Sequence, residues 1–215
     1  MNKDEVIRQI RVLGILPAVH TDSANEALFA AAALHHAGLP VVEIPFTLTE
    51  APAVIADLLT HHPEMIVGAG TVLDLAEARC AIEAGARFLT STGFVPEVVE
   101  CARQAGVAVF PGAMTPSEVI AAWKAGADFV KIFPAATMGG APYIRALQRP
   151  LAKIPLIVSG GVNQLNLADY LRAGACAVGI GVALLPDEAL RQRQEHRIHE
   201  LATRLLALVS KARSM

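Results

Sequence analysis

A short pattern that recurs along the chain constrains its fold more than any other feature of the sequence. Each copy is the end of a helical pattern, then Ala-Gly, then a short run rich in β-branched residues. Five copies are clear: HHAGLPVVEI, IEAGARFLTS, RQAGVAVFPG, WKAGADFVKI and LRAGACAVGI. A glycine directly after a helix adopts the left-handed conformation that ends the helix. The pattern therefore predicts a series of helices, each followed by a strand.

The spacing of these copies predicts how many units the chain contains. Their glycines are separated by 47, 21, 20 and 48 residues, and a unit of about 20–24 residues explains all four gaps if each long gap hides one more copy. The segments HHPEMIVGAG (61–70) and RPLAKIPLIVSG (149–160) fit the hidden copies, with proline as the helix breaker. One further apolar run, VLGILPAV (12–19), precedes the first copy. The count is therefore eight strands.

These apolar runs also predict how the strands are arranged. They lie near 12–19, 40–46, 65–69, 86–91, 107–111, 127–133, 154–159 and 175–180. Nearly continuous apolarity is typical of parallel strands that are buried on both faces. Strand–helix alternation in eight units predicts an α/β fold, a single (β/α)8 barrel forming one domain over residues 1–215. The amphipathic start, MNKDEVIRQI, adds an N-terminal helix, and a doubly wound open sheet is the alternative architecture.

Four short motifs predict where helices begin. SANE (23–26) and TPSE (115–118) are typical of capping boxes, in which a hydroxyl and a glutamate exchange hydrogen bonds with the first turn. Asp74 in DLAE and Asn163 in NQLN are expected to cap the helices that follow them. The last helix is predicted to be amphipathic and to run from about 187 to 212.

The composition limits the partners that the chain can have. Apolar residues make up 53% of the 215 residues and charged residues 18%, and the net charge of −2 gives no basic surface for nucleic acid. No apolar run approaches the roughly 18 residues of a membrane span. The three scattered cysteines predict reduced thiols in a cytoplasmic protein. The pairs His35–His36 and His61–His62 lie near predicted helix ends, where solvated side chains are expected rather than metal ligands.

The ends of the predicted strands hold two ionisable residues, Glu43 in VVEIPF and Lys131 in VKIFP. Active sites of such barrels lie at the carboxyl ends of the strands, and period-two alternation points both side chains inward. A lysine among apolar side chains loses proton affinity, and a neutral amine can condense with a ketone to form a Schiff base. Glu43 could then move the protons. The pair suggests class I aldolase chemistry without a metal or other cofactor. The alternatives are a buried structural ion pair and a lysine whose head reaches solvent.

A glycine-rich segment, SGGVNQLN (159–166), suggests a site for an anionic group. Gly160 and Gly161 precede a predicted helix, whose free N–H groups and dipole favour an anion. A phosphate site after the seventh strand is common in barrels, and a plain tight turn is the alternative. A second motif, GAGTV (68–72), does not match a dinucleotide-binding fingerprint because Leu73 occupies the third glycine position.

Five segments together resemble a known family: VEIPFTLTE, IVGAGTVL, FPGAMTPSE, VKIFPAATMGGAPYIRAL and SGGVNQLN. Their order and spacing are similar to those of the KHG/KDPG aldolases over residues 6 to 210. The resemblance implies a class I pyruvate aldolase, commonly a homotrimeric (β/α)8 barrel. It would act on 2-keto-3-deoxy-6-phosphogluconate, the 6-phosphogalactonate epimer or 4-hydroxy-2-oxoglutarate. The products would be pyruvate and an aldehyde such as glyceraldehyde 3-phosphate or glyoxylate.

The resemblance also implies roles for individual residues. Lys131 matches the Schiff-base lysine of the family, and Glu43 matches its general acid/base. Thr71 lies where the family contacts the pyruvyl carboxylate, and Phe133 lies where an aromatic ring packs against the pyruvyl group. The other positions expected to bind substrate are Ser91, Thr92, Ser159, Gly160, Gly161 and Gly181.

The substrate-recognition positions depart from the family pattern. Family members often carry an arginine for a substrate carboxylate, but here Thr47 and Pro17 stand at those positions, and neither supplies a fork of donors. Thr92 replaces a usual proline, and Ser159 replaces a usual threonine. Val182 stands where a serine often faces the phosphate. The pyruvate chemistry is thus expected to be retained, while the aldehyde half of the substrate stays open.

Two other functions stay open on the same residues. An isomerase or lyase of the phosphate-binding barrels could use Glu43 as base and Lys131 as electrophile, without a covalent intermediate. A barrel without catalysis could serve as an assembly protein, with the predicted helix 187–212 at a subunit contact. Trapping of a covalent pyruvate adduct separates the aldolase from both.

Overall fold

The computed structural model of the protein describes residues 1–214, in which parallel strands form a closed barrel surrounded by helices. The strands are Ile15–Pro17 (β1), Val41–Pro45 (β2), Ile66–Gly70 (β3), Phe88–Thr90 (β4), Ala108–Phe110 (β5), Gly112–Ala113 (β6), Val130–Ile132 (β7), Leu156–Val158 (β8) and Ala177–Ile180 (β9). The helices are Lys3–Leu13 (α1), Ala24–His36 (α2), Ala51–His61 (α3), Leu75–Glu83 (α4), Pro96–Gln104 (α5), Pro116–Lys124 (α6), Gly140–Gln148 (α7), Leu167–Arg172 (α8), Asp187–Arg191 (α9) and Glu195–Arg213 (α10).

Two seams close the strands into a barrel. The strands pair in the orders β1-β9-β8-β7-β6 and β2-β3-β4-β5, always in parallel. At one seam Ala18 pairs with Glu43, and the Val19 N–H donates to the Glu43 carbonyl at 2.9 Å. At the other, the chain runs from β5 through Pro111 into β6, and the Lys131 N–H donates to the Pro111 carbonyl at 2.9 Å. The predicted (β/α)8 barrel is confirmed, and the open sheet is wrong.

Two apolar clusters hold the fold together, one inside the barrel and one between the strands and the helices. The inner cluster contains Phe88, Phe110 and Phe129, and the Phe110 ring centroid lies 5.3 and 5.2 Å from those of the other two. The predicted N-terminal helix is α1, which packs under the amino ends of the strands with Val6 and Ile10 in this cluster. The lower barrel is therefore a packed core, and the polar interior side chains lie above it, at the carboxyl ends.

Several predicted element boundaries differ from the structure, and three of the differences have a clear local reason. The fifth strand divides into β5 and β6 at Pro111, which has no N–H for the ladder. The helix expected after Asn163 begins only at Leu167, because the Asn163 and Asn166 side chains accept backbone N–H groups at 2.8 Å and hold a turn. The last helix divides into α9 and α10 around Arg193, whose φ is 50°.

The other predicted helix starts are found where the motifs place them. Thr115 and Glu118 form the reciprocal capping box of α6. Asp74 caps α4 by accepting from the Glu77 N–H at 2.8 Å, and Ser23 caps α2 through one half of the predicted box. The helices within residues 1–214 all lack the combination of length and apolar character that crossing a membrane requires.

Candidate active site

Two buried charged side chains meet at the carboxyl end of the barrel. Glu43 comes from β2 and Lys131 from β7, and each follows an interior residue, Val41 or Phe129, by two positions. The Lys131 Nζ atom lies 3.4 Å from Glu43 Oε1 and 3.5 Å from Glu43 Oε2. Lys131 is 5% exposed and Glu43 is 3% exposed. The two ionisable residues predicted for the site are therefore in contact.

A glycine in β3 makes room for the Glu43 carboxylate. Gly70 pairs with Pro45 in the β2–β3 ladder, two residues beyond Glu43. A Cβ atom at position 70 would overlap the Glu43 side chain. The carboxylate thus occupies space that any other residue at this position would fill, and Gly70 helps to set its position.

A third polar group, which the sequence analysis missed, also contacts the amine. Lys131 Nζ donates to Thr90 Oγ1 at 3.1 Å, and Thr90 is fully buried at the end of β4. Alternation could have found it, because Phe88 is an interior residue and Thr90 follows it by two positions. The neighbouring Ser91 was predicted to bind substrate, but its hydroxyl donates to the Gly93 carbonyl at 2.7 Å and so holds the following loop.

Aromatic rings and the packed core surround this polar cluster. Phe129 lies in the inner core, and the Phe133 ring centroid lies 6.0 Å from Lys131 Nζ. The contact with Glu43 also fits the structural alternative, a buried ion pair. Such pairs contribute little to stability, because the cost of removing two charges from water offsets their attraction. Because Glu43 and Lys131 lie at the carboxyl ends of the strands, a functional role is favoured over a purely structural one.

The loops after β3 and β4 hold two further predicted residues. Thr71 has a φ of 54°, a left-handed conformation that a β-branched residue adopts only where its surroundings impose it. The next N–H, of Val72, donates to the Thr90 carbonyl at 3.0 Å and fixes this turn against β4. Thr92 lines a cavity of about 260 Å³ together with Phe133. Backbone strain concentrates at functional sites, which singles out Thr71 among these residues.

A larger cavity, of about 520 Å³, lies at the carboxyl ends of β8, β9 and β1. Its lining includes the predicted residues Ser159, Gly160, Gly161 and Gly181. Gly160 and Gly161 have φ values of 88° and 78°, which favour glycine. Side chains at these two positions would also press on Pro134 and Ala136. The expectation that a helix begins directly after these glycines and offers its dipole to an anion is wrong, because α8 begins only at Leu167 and has six residues.

His20, which the sequence analysis also missed, stands between two cavities at the end of β1. It lines the 520 Å³ cavity and a neighbouring one of about 360 Å³ that also includes Thr47 and Arg191. A Cβ atom at Gly181 would lie 3.1 Å from His20 Cδ2, so the ring rests against that glycine. Pro17 is buried in β1 and offers no donor. The basic side chains that line these two cavities are those of His20 and Arg191.

Fold and site together define a class of enzyme. An amine buried beside a carboxylate and a hydroxyl, at the reactive end of a (β/α)8 barrel, can form a Schiff base with a ketone. The carboxylate can move the protons that this chemistry requires. These features are those of a Schiff-base-forming barrel enzyme, and the neighbouring cavities leave space for the rest of a substrate.

Comparison with known proteins gives the family. The family model for KDPG and KHG aldolase matches residues 5–201. A 2-dehydro-3-deoxy-phosphogluconate aldolase of Treponema pallidum is 31% identical over 208 residues, covering 95% of this chain and 96% of the relative. A probable 2-dehydro-3-deoxy-6-phosphogalactonate aldolase of Rhizobium meliloti is 34% identical over 163 residues, covering 74% of this chain and 76% of that protein.

A solved structure is similar over the same length. The crystal structure of KDPG aldolase from Legionella pneumophila, with pyruvate captured as a covalent carbinolamine intermediate, has a TM-score of 0.87 and 27% identity. The similarity covers 95% of this chain and 98% of that one. The chain therefore belongs to the KDPG and KHG aldolase family. It is a lyase, an aldolase of the Schiff-base type.

Proposed function

We propose that this chain, as a single barrel domain, reversibly cleaves a 2-keto-4-hydroxy acid into pyruvate and an aldehyde. Lys131 is the Schiff-base amine and Glu43 is the general acid/base. The observation that carries the proposal is the buried contact of 3.4 Å between Lys131 Nζ and Glu43 Oε1. A carboxylate at this distance can exchange protons with groups attached to the amine, directly or through one water. The covalent pyruvate in the Legionella pneumophila relative supports the same chemistry.

The proposed reaction begins when the neutral amine of Lys131 attacks the substrate ketone. A bond forms between Nζ and the carbonyl carbon, and Glu43 delivers the proton that makes the carbinolamine hydroxyl. Loss of water gives an iminium ion. The Glu43 carboxylate then takes the proton of the C4 hydroxyl, the C3–C4 bond breaks and the aldehyde leaves. The released electron pair forms the pyruvate enamine, and protonation at C3 followed by hydrolysis frees pyruvate and the amine.

The pyruvyl end is proposed to lie between the loops that follow β3 and β4. Thr71 supplies a hydroxyl for the carboxylate from its left-handed turn. Thr92 lines the cavity that includes Phe133, whose ring packs against the pyruvyl group. Ser91 supports this arrangement through its hydrogen bond to the Gly93 carbonyl. Thr90 orients the amine by accepting from Nζ at 3.1 Å.

The aldehyde half of the substrate is proposed to carry an anionic group in the 520 Å³ cavity. Ser159, Gly160, Gly161 and Gly181 line this cavity. Glycines without Cβ atoms let an anion approach backbone N–H groups closely. The names of two relatives give a phosphogluconate and a 6-phosphogalactonate as substrates. Both are phosphorylated sugar acids, which supports the binding of a phosphate group in this cavity. 4-Hydroxy-2-oxoglutarate, named by the family model, would place a carboxylate there instead.

A coupled assay of pyruvate release tests the function and its substrate. The acids compared are 2-keto-3-deoxy-6-phosphogluconate, its galactonate epimer, unphosphorylated 2-keto-3-deoxygluconate and 4-hydroxy-2-oxoglutarate. We expect cleavage of at least one acid, complete loss in Lys131→Met, and higher kcat/KM for the phosphorylated sugar acids than for the unphosphorylated one. No pyruvate from any of them, where a control aldolase is active, would refute the proposed function.

The proposals on oligomeric state and on cellular location rest on the family resemblance and on the composition. The chain is proposed to form a homotrimer in the cytoplasm, without a cofactor in the aldolase reaction. Light scattering of the purified protein would give the mass of three chains. A monomeric mass at assay concentration, with full activity, would refute the trimer and leave the catalytic proposal intact.

A further inference from the structure

The amino end of the barrel holds three metal-ligating side chains that the aldolase chemistry does not use. His35 lies in the last turn of α2, His62 follows the end of α3, and Glu64 lies in the turn before β3. One ligand atom from each lies within 4.8 Å of the other two, and no other such group of three is found within residues 1–214. Both helices end where the next strand begins, so this cluster lies at the opposite end of the barrel from Lys131.

The distances within this cluster suit a small divalent ion. His35 Nε2 lies 3.1 Å and His62 Nδ1 lies 3.8 Å from Glu64 Oε1. In a tetrahedral zinc site with bonds of about 2.0–2.2 Å, neighbouring ligand atoms lie about 3.3–3.6 Å apart. The two imidazole rings meet edge to face with centroids 5.2 Å apart. Small side-chain rotations would therefore bring all three atoms to coordination distance.

The backbone holds the cluster in place. The Met65 N–H donates to the His62 carbonyl at 3.0 Å, which closes the turn that carries Glu64. Arg87 donates to the Pro63 carbonyl, in the same turn, at 2.8 Å. The three ligating side chains are 25%, 31% and 54% exposed, so an ion can enter from solvent and water can complete its coordination.

We infer that His35, His62 and Glu64 form a binding site for a divalent transition-metal ion of the zinc type. Two imidazoles and one carboxylate suit Zn²⁺, Ni²⁺ or Cu²⁺, whereas Mg²⁺ and Ca²⁺ prefer oxygen ligands alone. Three protein ligands leave a fourth position for water. A metal-bound histidine normally donates from its second nitrogen, but His35 Nδ1 is buried without a hydrogen-bond partner within residues 1–214. The site is therefore of moderate affinity, and its ion is exchangeable.

Such an ion would link the ends of α2 and α3 to the turn before β3. Because it binds the folded chain, it stabilises the native state by mass action. Its distance from the catalytic end means that it takes no part in the proposed aldolase reaction. Metal binding at this site is therefore independent of the proposed aldolase function. The competing description of the same contacts is a simple cluster of His–Glu ion pairs.

Zinc binding to the full chain, prepared without a polyhistidine tag, tests the site. Equilibrium dialysis against Zn²⁺ should give about one ion per chain that EDTA removes, with no comparable uptake of Mg²⁺. Zn²⁺ should raise the Tm of the wild-type protein. His62→Gln and Glu64→Gln should each weaken zinc binding by at least about tenfold. Pyruvate release should stay at the wild-type level in both variants.

Two matched controls make the outcome specific. His61 neighbours His62 but faces Asp57, with His61 Nδ1 3.4 Å from Asp57 Oδ1, so His61→Gln should keep wild-type zinc affinity. Cys80 is an exposed thiol that could bind zinc on its own, and Cys80→Ser should also keep that affinity. Absence of stoichiometric zinc binding, or an equal loss of affinity in either control, would overturn the inference and leave an ion-pair cluster.

Discussion

At the scale of single residues, two neighbours hold the amine of Lys131, the proposed nucleophile. A lysine ammonium has three donor positions, and Glu43 and Thr90 occupy two of them at 3.4 and 3.1 Å. If both hydrogen bonds are kept when the amine loses a proton, its lone pair takes the third position. The proposed attack on a ketone would then come from that position. The same carboxylate is close enough to serve the proton transfers that follow.

Glu43→Gln tests the role of this carboxylate. The amide keeps the side-chain volume but cannot take a proton, so kcat for pyruvate release should fall by about 10²–10⁴-fold. Trapping of pyruvate on the amine should persist at a reduced level, because the nucleophile is retained. Glu64→Gln, the same change at the other end of the barrel, should leave kcat unchanged. An unaltered kcat in Glu43→Gln would show that another group moves the protons.

Gly70→Ala tests whether the position of the carboxylate matters. The added Cβ would overlap the Glu43 side chain and displace it, and a misplacement of about 1 Å can cost about 10²-fold in rate. Gly38→Ala is the control at the amino end of the barrel, because a Cβ there meets no atom within 4 Å, and its φ of 82° means that the change costs stability rather than activity. Steady-state kinetics of the two folded variants give the comparison. Equal kcat values in both would mean that Gly70 has no part in placing Glu43.

Sequence reasoning found both charged residues of the site, Glu43 and Lys131, but missed two of its polar side chains, Thr90 and His20, for a physical reason. Glu43 and Lys131 are conspicuous because charge is rare in buried strands. Threonine is common in strands generally, so Thr90 required a correct choice of the inward face, which its neighbour Ser91 obscured. His20 acquires its place only when β1, β9 and α9, distant along the chain, meet around two cavities.

At the scale of elements, the alternation of strands and helices was predictable because short local residue patterns determine it. Most of these helices end within two residues of a glycine or proline, and each buried strand needs a run of apolar residues. The wrongly predicted boundaries depend on specific hydrogen bonds, which a pattern of apolar and polar residues does not reveal. Asn163 and Asn166 hold a turn instead of a helix start, and Pro111 interrupts a ladder.

The capping box of α6 predicts a pH-dependent stability. The backbone N–H groups of Met114 and Thr115 donate to Glu118 Oε2 at 2.8 and 2.7 Å, and these bonds lower the pKa of the Glu118 carboxyl. Because the folded pKa is lowered, this stabilisation is present above the ordinary glutamate pKa of about 4.3 and is lost as the pH falls through the folded value. Glu118→Gln should therefore reduce the urea midpoint at pH 7, and the difference from wild type should shrink at acidic pH. A difference that stays constant from pH 7 to pH 3 would contradict this assignment.

At the scale of the whole molecule, stability and chemistry occupy opposite ends of the barrel. The inner core of aromatic and aliphatic side chains fills the amino end and is covered by α1. The polar cluster around Lys131 lies above it, at the carboxyl end. This division follows from the parallel fold, which gathers all strand ends of one kind at one face. A substitution in the lower core should thus change stability without changing catalysis.

Ile10→Ala tests this separation. Ile10 is fully buried in the inner core, and its truncation should lower the free energy of unfolding by about 2–5 kcal/mol. The kcat for pyruvate release per folded chain should stay at the wild-type value. Val12→Ala on the same helix is the control, because Val12 is 66% exposed and should change stability by less than about 0.5 kcal/mol. A large loss of kcat in folded Ile10→Ala would show that α1 is coupled to the active site.

The most direct test of the central claim is to trap the covalent intermediate. The protein is incubated with pyruvate and borohydride, its mass is measured, and the modified peptide is mapped. We predict one reduced pyruvyl adduct per chain, located on Lys131 and absent from Lys131→Met. An isomerase or lyase without a covalent intermediate, or a barrel without catalysis, would give no adduct. No adduct under conditions that label a control aldolase, or an adduct on a different lysine, would contradict the account.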